Sequence, residues 1–371
     1  MFALFSPVRL GSLELANRIV IPPMCMYSAQ EGCATSWHQM HYGNLAQSGA
    51  GLLILEATAV EARGRISPYD LGLWNDAQAQ ALQPVLAHIR QFSAMPVCIQ
   101  LAHAGRKASC ARPWEGGGAL PTDHPKAWPT ISASAQGFLP TDPLPVSATL
   151  ADIADIKQAF VDAAVRSHQL GLDAIELHAA HGYLLHQFLS PLSNHRDDAY
   201  GGSLENRIRL TLEVLDAVRN ALPADYPVGV RISATDWVEG GWDVVQSTAL
   251  TQALAAHGCA FLHVSSAALH PAQQIPVGPG YQVPLAETLR RALNGAMPVI
   301  AVGLITDAHQ AQAILDAGQA DAIGVARAML YNPRWPWEAA RQLGASVTAA
   351  PQYLRCEPHG SKGLLQAAST R

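Results

Sequence analysis

Helical hydrophobic periods alternate along the chain with short, almost unbroken apolar runs, and four times the switch falls at a glycine. The four junctions are Ser48–Glu56, Gly171–His178, Gly258–Ser265 and Gly318–Arg327. A Gly just past a helix end, followed by an apolar run, is the pattern of a turn into a parallel strand buried on both faces. Four further runs fit between these, at Arg18–Pro22, Pro96–Leu101, Pro227–Ile232 and Met297–Val302. Helical periods occupy Ala77–Phe92, Leu150–Leu170, Leu204–Leu222, Val244–Ala256, Leu285–Leu293 and Ala308–Asp316. Eight strands alternating with helices predict an α/β protein of the (β/α)8 TIM-barrel class. A doubly wound sheet competes, but no GxGxxG follows the first strand and GxxxxGK[ST] does not occur.

One connection breaks the rhythm. Between Ala104 and Ser147 the chain carries seven prolines and the run Gly116–Gly118, with little periodicity. A loop this long inside a compact domain is usually a lid or binding loop. Its place after the third strand predicts a cap over the C-terminal face of the barrel, where such folds carry their chemistry. The expected organisation is one barrel domain over 1–350, including the capping loop 104–147. A C-terminal extension follows over 351–371, Gly/Ser/Ala-rich at its end and expected to fray.

Composition narrows the class. Of 371 residues, 49% are hydrophobic and only 14% charged, enough apolar side chain for a large core and too little charge for a disordered chain. The net charge of −5, with no block of Lys or Arg, argues against nucleic acid or an anionic membrane as partner. The apolar stretch Gly49–Val60 is interrupted by Glu56 and is far shorter than the ~20 residues of a membrane helix. The start, MFALFSPVRL, lacks the basic region of a signal peptide. Six scattered cysteines (25, 33, 98, 110, 259, 356) form no CxxC pair, so neither a disulfide framework nor a zinc spacing is present. A soluble, cytoplasmic protein is expected.

In a barrel, polar residues at strand C-termini are the functional candidates. They are Cys25 after strand one, Ala57 and Thr58 after two, Gln100 and His103 after three, and His178, His181 and Tyr183 after four. Arg231, Ser265, Gly303 and Arg327 follow strands five to eight. The densest group is Glu176-Leu-His-Ala-Ala-His-Gly-Tyr183. Two imidazoles and a phenol can hold a developing oxyanion and deliver a proton. A metal-dependent hydrolase would also use His178 and His181, but Arg231 and Arg327 at neighbouring strand ends repel a cation. Those arginines point instead to an anion, with the backbone at Ala301–Leu304 and Val325–Ala328 placed as in barrel phosphate sites. None of the four lysines (107, 126, 157, 362) falls at a strand end, which argues against Schiff-base chemistry.

At these residues the chain resembles the old yellow enzyme family of flavin-dependent ene-reductases, in the branch of the thermophilic-like ene-reductases and xenobiotic reductases. The matching segments run in order along nearly the whole chain. They include Pro23-Met-Cys-Met-Tyr27, Glu56-Ala-Thr-Ala-Val60, Gln100-Leu-Ala-His-Ala-Gly-Arg-Lys107, His178-Ala-Ala-His-Gly-Tyr183, Phe188-Leu-Ser-Pro-Leu-Ser-Asn-His-Arg196, Tyr200-Gly-Gly-Ser-Leu-Glu-Asn-Arg207 and Gly280-Tyr-Gln-Val283. The resemblance implies non-covalent FMN, with NADPH or NADH as hydride donor and an activated C=C bond of an α,β-unsaturated carbonyl compound as acceptor in a ping-pong cycle. It implies that Pro23, Met24, Cys25, Ala57 and Gln100 line the isoalloxazine, that Arg231 faces its N1/C2 edge, and that Gly303, Ala326 and Arg327 hold the phosphate. It makes His178 and His181 the ligands of the substrate oxygen, Tyr183 the proton donor, Cys25 a tuner of the flavin, and Tyr27 a wall of the substrate pocket. It places Arg355 in the site of a neighbouring subunit, in a homodimer or dimer-based tetramer. Ala326 stands where many relatives carry Gly, and Leu354 where many carry Trp or Glu. Nitro compounds or nitrate esters are the alternative acceptors, and a non-catalytic flavin carrier is the alternative outside enzymes.

Overall fold

The computed structural model describes residues 2–367. Eight parallel strands close a barrel: β1 (Ile19–Ile21), β2 (Leu52–Ala59), β3 (Val97–Ala102), β4 (Ala174–Ala179), β5 (Val228–Ser233), β6 (Leu262–Ser265), β7 (Val299–Val302) and β8 (Ala322–Gly324). Each pairs with its sequence neighbour, and β8 closes on β1 through Ile323 opposite Ile19. All eight predicted runs are barrel strands. Each is buried along its whole length, because one face meets the barrel interior and the other the helix layer.

Eight helices cover the strands: α1 (Ser36–Ala46), α2 (Asp76–Phe92), α3 (Leu150–Gln169), α4 (Leu204–Asn220), α5 (Val244–Ala256), α6 (Val283–Leu293), α7 (Ala308–Asp316) and α8 (Trp335–Leu343). Their starts are set by side-chain caps: Asn75 accepts from Ala77 N–H, Thr149 from Asp152, Ser203 from Asn206, Asp243 from Gln246 and Asp307 from Gln310. The junction glycines turn the chain as expected: Gly258, at φ +74°, takes the left-handed conformation that ends α5. Two of these eight go beyond the predicted set, as do the short helices Leu184–Leu189 and Arg327–Tyr331. The buried positions of α1 are His38, Tyr42, Leu45 and Ala46, a stripe half of which is polar-tipped. The start of α8, Trp335-Pro-Trp, reads locally as a turn.

The barrel interior is divided along its axis. The N-terminal half is apolar: Val20, Leu52, Ile54, Cys98, Ala174, Ile300 and Ala322 pack together, plugged from below by Leu10 and Leu15 of the hairpin Val8–Leu10/Leu13–Leu15. Polar side chains begin only above this plug.

The capping loop is pinned at several points. Ile131–Ser132 pairs in parallel with Val146–Ser147, Trp128 Nε1–H donates to Arg63 O at 2.9 Å, and Arg196 donates to Ala133 O at 3.1 Å. The extension departs from the expected fraying. Pro351–Cys356 forms a 3-10 turn, and Leu365–Ala367 pairs in parallel with Val347–Ala349. Leu364 and Leu365 are buried against Ala340, Val347 and Ala349, so apolar burial ties the tail to α8. Residues 368–371 of the predicted extension lie outside the described residues. Among the described residues, no helix is long and apolar enough to cross a membrane.

Candidate active site

Just above the apolar plug, a chain of polar groups spans the barrel. Gln100 Nε2–H donates to Glu176 Oε1 at 2.7 Å, and Glu176 Oε2 lies 2.7 Å from His263 Nδ1. Arg231 stands beside His178 in the β4–β5 register and beside His263 across β6. Its guanidinium is buried and its Nε meets no acceptor. A buried, unpaired guanidinium is expensive unless an anion or carbonyl satisfies it. Glu176 supplies compensating charge nearby, while Gln100, its amide committed to Glu176, keeps a carbonyl oxygen for another donor. Glu176 opens the densest group in the sequence but has no role assigned there, and His263 is absent from the candidates, because both sit inside strand bodies, where alternation alone does not separate a barrel interior from a helix-facing core.

His178 and His181 meet edge to face, with ring centroids 5.1 Å apart. His178 Nδ1 accepts Ala180 N–H at 3.2 Å, which leaves the proton of the neutral ring on Nε2, 3.4 Å from His181 Nδ1. Burial, then the charge of Arg231, holds both imidazoles well below the usual histidine range, so both are neutral. Each therefore offers one N–H. His181 Nε2 is 2.7 Å from Ser265 Oγ. The same hydroxyl lies 3.3 Å from Gln282 Oε1; when it donates to His181 Nε2 instead, the His181 proton sits on Nδ1, and the N–H nitrogens of the two rings are 3.4 Å apart.

The turn that carries His181 is strained. His181 is left-handed at φ +58°, as are Ala267 and Ala268 across from it, each about 1–2 kcal/mol above a relaxed residue. Lys107 clamps the two segments by donating from Nζ to His181 O at 2.8 Å and Ala268 O at 2.9 Å. Burial lowers this lysine to about 8. Its ammonium also lies 5.3 Å from the centre of the Tyr183 ring, which stands edge-on to His178 at 4.9 Å. Burial pushes the Tyr183 phenol well above its ordinary value, so it holds its proton. Lys107 was set aside in the sequence because it follows no strand directly; a 3-10 turn, Gly105–Lys107, brings it in.

The segment Pro23–Tyr27 follows β1, half-buried. Burial raises the Cys25 thiol far above its ordinary value, so it is a protonated, polarizable neighbour and not a nucleophile. Tyr27 packs edge-on to Trp114 of the capping loop at 6.0 Å, and Arg112 lies over both Trp114 and Tyr69, which places the cap at the rim of this segment.

Arg231, Ser265, Gln282, Gly303, Ala326 and Arg327 border a cavity of about 180 Å³ above β6–β8. Gly303 has φ +127°, and a Cβ there would lie 2.7 Å from Gln282 Nε2. Gln282 itself is held by Ser266 Oγ–H at 2.7 Å and by donation to Val302 O at 3.0 Å. Arg327 opens a short helix, Arg327–Tyr331, with an exposed side chain.

Three candidates fall elsewhere. Thr58 is buried and donates to Glu56 O within β2, and His103 binds Glu61 at 2.7 Å and accepts Gly105 N–H, so the first serves the strand and the second the loops. Arg355 is exposed on the docked tail, against the α8 side of the molecule, and does not reach the site of its own chain.

The model of the NADH:flavin oxidoreductase / NADH oxidase family matches residues 3–345. The chain is 44% identical over 354 residues to an NADPH dehydrogenase of a Geobacillus species, covering 95% of this chain and 98% of that protein. It is 42% identical over 364 residues to an NADH:flavin oxidoreductase of Gibberella zeae, covering 94% and 87%. Among solved structures, morphinone reductase superposes with TM-score 0.77 at 29% identity, over 99% of this chain and 94% of that one. An old yellow enzyme homologue from Zymomonas mobilis superposes with TM-score 0.74 at 25% identity, over 94% of each chain.

Proposed function

Because the chain belongs to the old yellow enzyme family of NADH:flavin oxidoreductases, we propose that it reduces the activated C=C bond of α,β-unsaturated carbonyl compounds, working as a cytoplasmic dimer. Bound FMN supplies the two-electron hydride chemistry, loaded from a reduced nicotinamide nucleotide. The residues present fit that cofactor. The unpartnered Arg231 Nε and the free Gln100 carbonyl suit the polar edge of an isoalloxazine. The cavity bordered by Gly303, Ala326 and Arg327 suits a phosphate. Pro23, Met24, Cys25 and Ala57 would line the ring.

The observation that carries the reading is the neutral His178/His181 pair beside a protonated Tyr183. When an alkene accepts hydride at its β-carbon, charge moves onto the carbonyl oxygen, and two neutral imidazole N–H groups meet it without adding positive charge beside Arg231. Tyr183 holds the proton for the α-carbon, and Tyr27 walls the pocket. Donor and acceptor bind by turns at this one place, which makes the cycle ping-pong. Arg355 would serve a neighbouring subunit. Family membership displaces the metal-dependent hydrolase reading.

The test is anaerobic. NADPH should bleach the yellow protein, and 2-cyclohexenone should restore its colour faster than nitroaromatic compounds or nitrate esters do. Faster recovery with the nitro substrates would move the function to the alternative acceptors.

A further inference from the structure

Glu56 interrupts the most apolar run of the chain and is buried to 1% exposure. In strict alternation it would follow Ile54 into the barrel. Instead β2 bulges here: its register against β3 shifts between Leu55 and Ala57. A bulge re-aims the extra side chain, and this one meets α1 in the helix layer. Tyr42 Oη–H donates to Glu56 Oε1 at 2.7 Å, and the same hydroxyl accepts Glu56 N–H at 3.2 Å, satisfying an amide that lies at the break in the ladder. His38 Nδ1 accepts Thr35 N–H at 2.9 Å, which leaves its proton on Nε2, 3.5 Å from Glu56 Oε1. The other carboxylate oxygen faces the segment after β1. Met26 N–H donates to Oε2 at 2.9 Å.

The residues on either side of Met26 are Cys25 and the left-handed Tyr27, at φ +50°. A non-glycine residue holds that conformation only where its surroundings over-determine it. The Met26 N–H bond to Glu56 restrains the chain just before Tyr27.

We propose that Glu56 is a positioning residue for the reaction: holding the Met26 amide on a carboxylate braced by Tyr42, it sets where the flanking Tyr27 phenol and Cys25 thiol stand at the site. This rests on reading the site as the flavin and substrate pocket. Glu56 touches neither substrate nor cofactor and acts through Tyr27 and Cys25.

The test uses Glu56→Gln, which keeps the volume and removes one acceptor. In the FMN-loaded enzyme, para-hydroxybenzaldehyde binding and the KM for 2-cyclohexenone should both weaken about tenfold, the size expected for losing a charge-assisted bond. In a Tyr27→Ala background the same substitution should add less than about twofold, because no phenol is left to misplace. Tyr42→Phe, which removes the brace alone, should give a smaller loss with the same non-additivity, and serves if Glu56→Gln does not fold. In parallel, alkylation of Cys25 by iodoacetamide, read by mass spectrometry on flavin-free protein, should quicken in either variant. An additive effect in the Tyr27→Ala background, or a Cys25 labelling rate equal to that of the unsubstituted chain, overturns the proposal. The labelling decides it even if the enzyme reduces no enone, an outcome that would sink the substrate reading alone.

Discussion

His178 and His181 are neutral for the same reason that Arg231 is charged: three buried cations within one strand-end cluster are not affordable, and the guanidinium is the group that never gives up its proton. Neutral rings leave Tyr183 as the acid. Tyr183→Phe should slow enone reduction by about 10²–10⁴-fold and leave NADPH oxidation by the flavin nearly intact, measured as separate half-reactions by stopped flow. Equal losses in both would remove the phenol from the proton path. Glu56 gives a second prediction. Burial raises its carboxyl from 4.5 to about 7, so between those values the folded protein keeps a proton that the unfolded chain releases. Its contribution to stability is therefore present below about 4.5 and lost as pH rises through about 7. His38, lowered by burial to about 4, works in the opposite sense, destabilising the fold as pH falls below its ordinary 6.5. Urea midpoints across pH 4.5–7.5 should rise more steeply with pH in Glu56→Gln than in the unsubstituted chain. Parallel curves would mean that Glu56 does not titrate in this range.

At the scale of elements, the site is assembled from turns that glycine or strain makes possible. The β7 end places Gly303 at φ +127° against Gln282, which in turn holds Ser266 and Val302. Gly303→Ala should destabilise the flavin-free protein by about 1–3 kcal/mol and release FMN on dialysis, because both the backbone and the Gln282 contact must yield. A thermal melt and the absorbance of the dialysate check the two effects. The capping loop shows a different economy. Its sequence has no period, yet it is held by Trp128, Ser132 and Arg196, all bonded to groups far along the chain. Such anchoring is invisible locally, which explains why only its length and its place after the third strand marked it as a cap.

For the whole molecule, the tail raises the question of a second copy. Arg355 is exposed and away from the site of its own chain, so only a neighbouring molecule can bring it to one. Arg355→Ala should raise the KM for enone in a dimer and leave the melting temperature of each subunit unchanged. A full-activity monomer by light scattering would leave Arg355 without this role. The barrel itself was legible in the chain because a parallel strand covered on both faces must be apolar throughout, and Gly258 and its counterparts mark where each begins. His178, His181, Tyr183 and Arg231 were legible too, since a polar residue ending such a run has few structural excuses. Glu176, His263 and Lys107 were not, nor the bulge that turns Glu56 outward and the helix α1 that receives it. Sequence by itself determined the strands, their order and the polar residues at their ends, because hydrophobic period and turn chemistry are local. Only the tertiary structure decided which polar groups face each other, since closing a barrel brings together strands that lie far apart along the chain, and no local pattern records that distance.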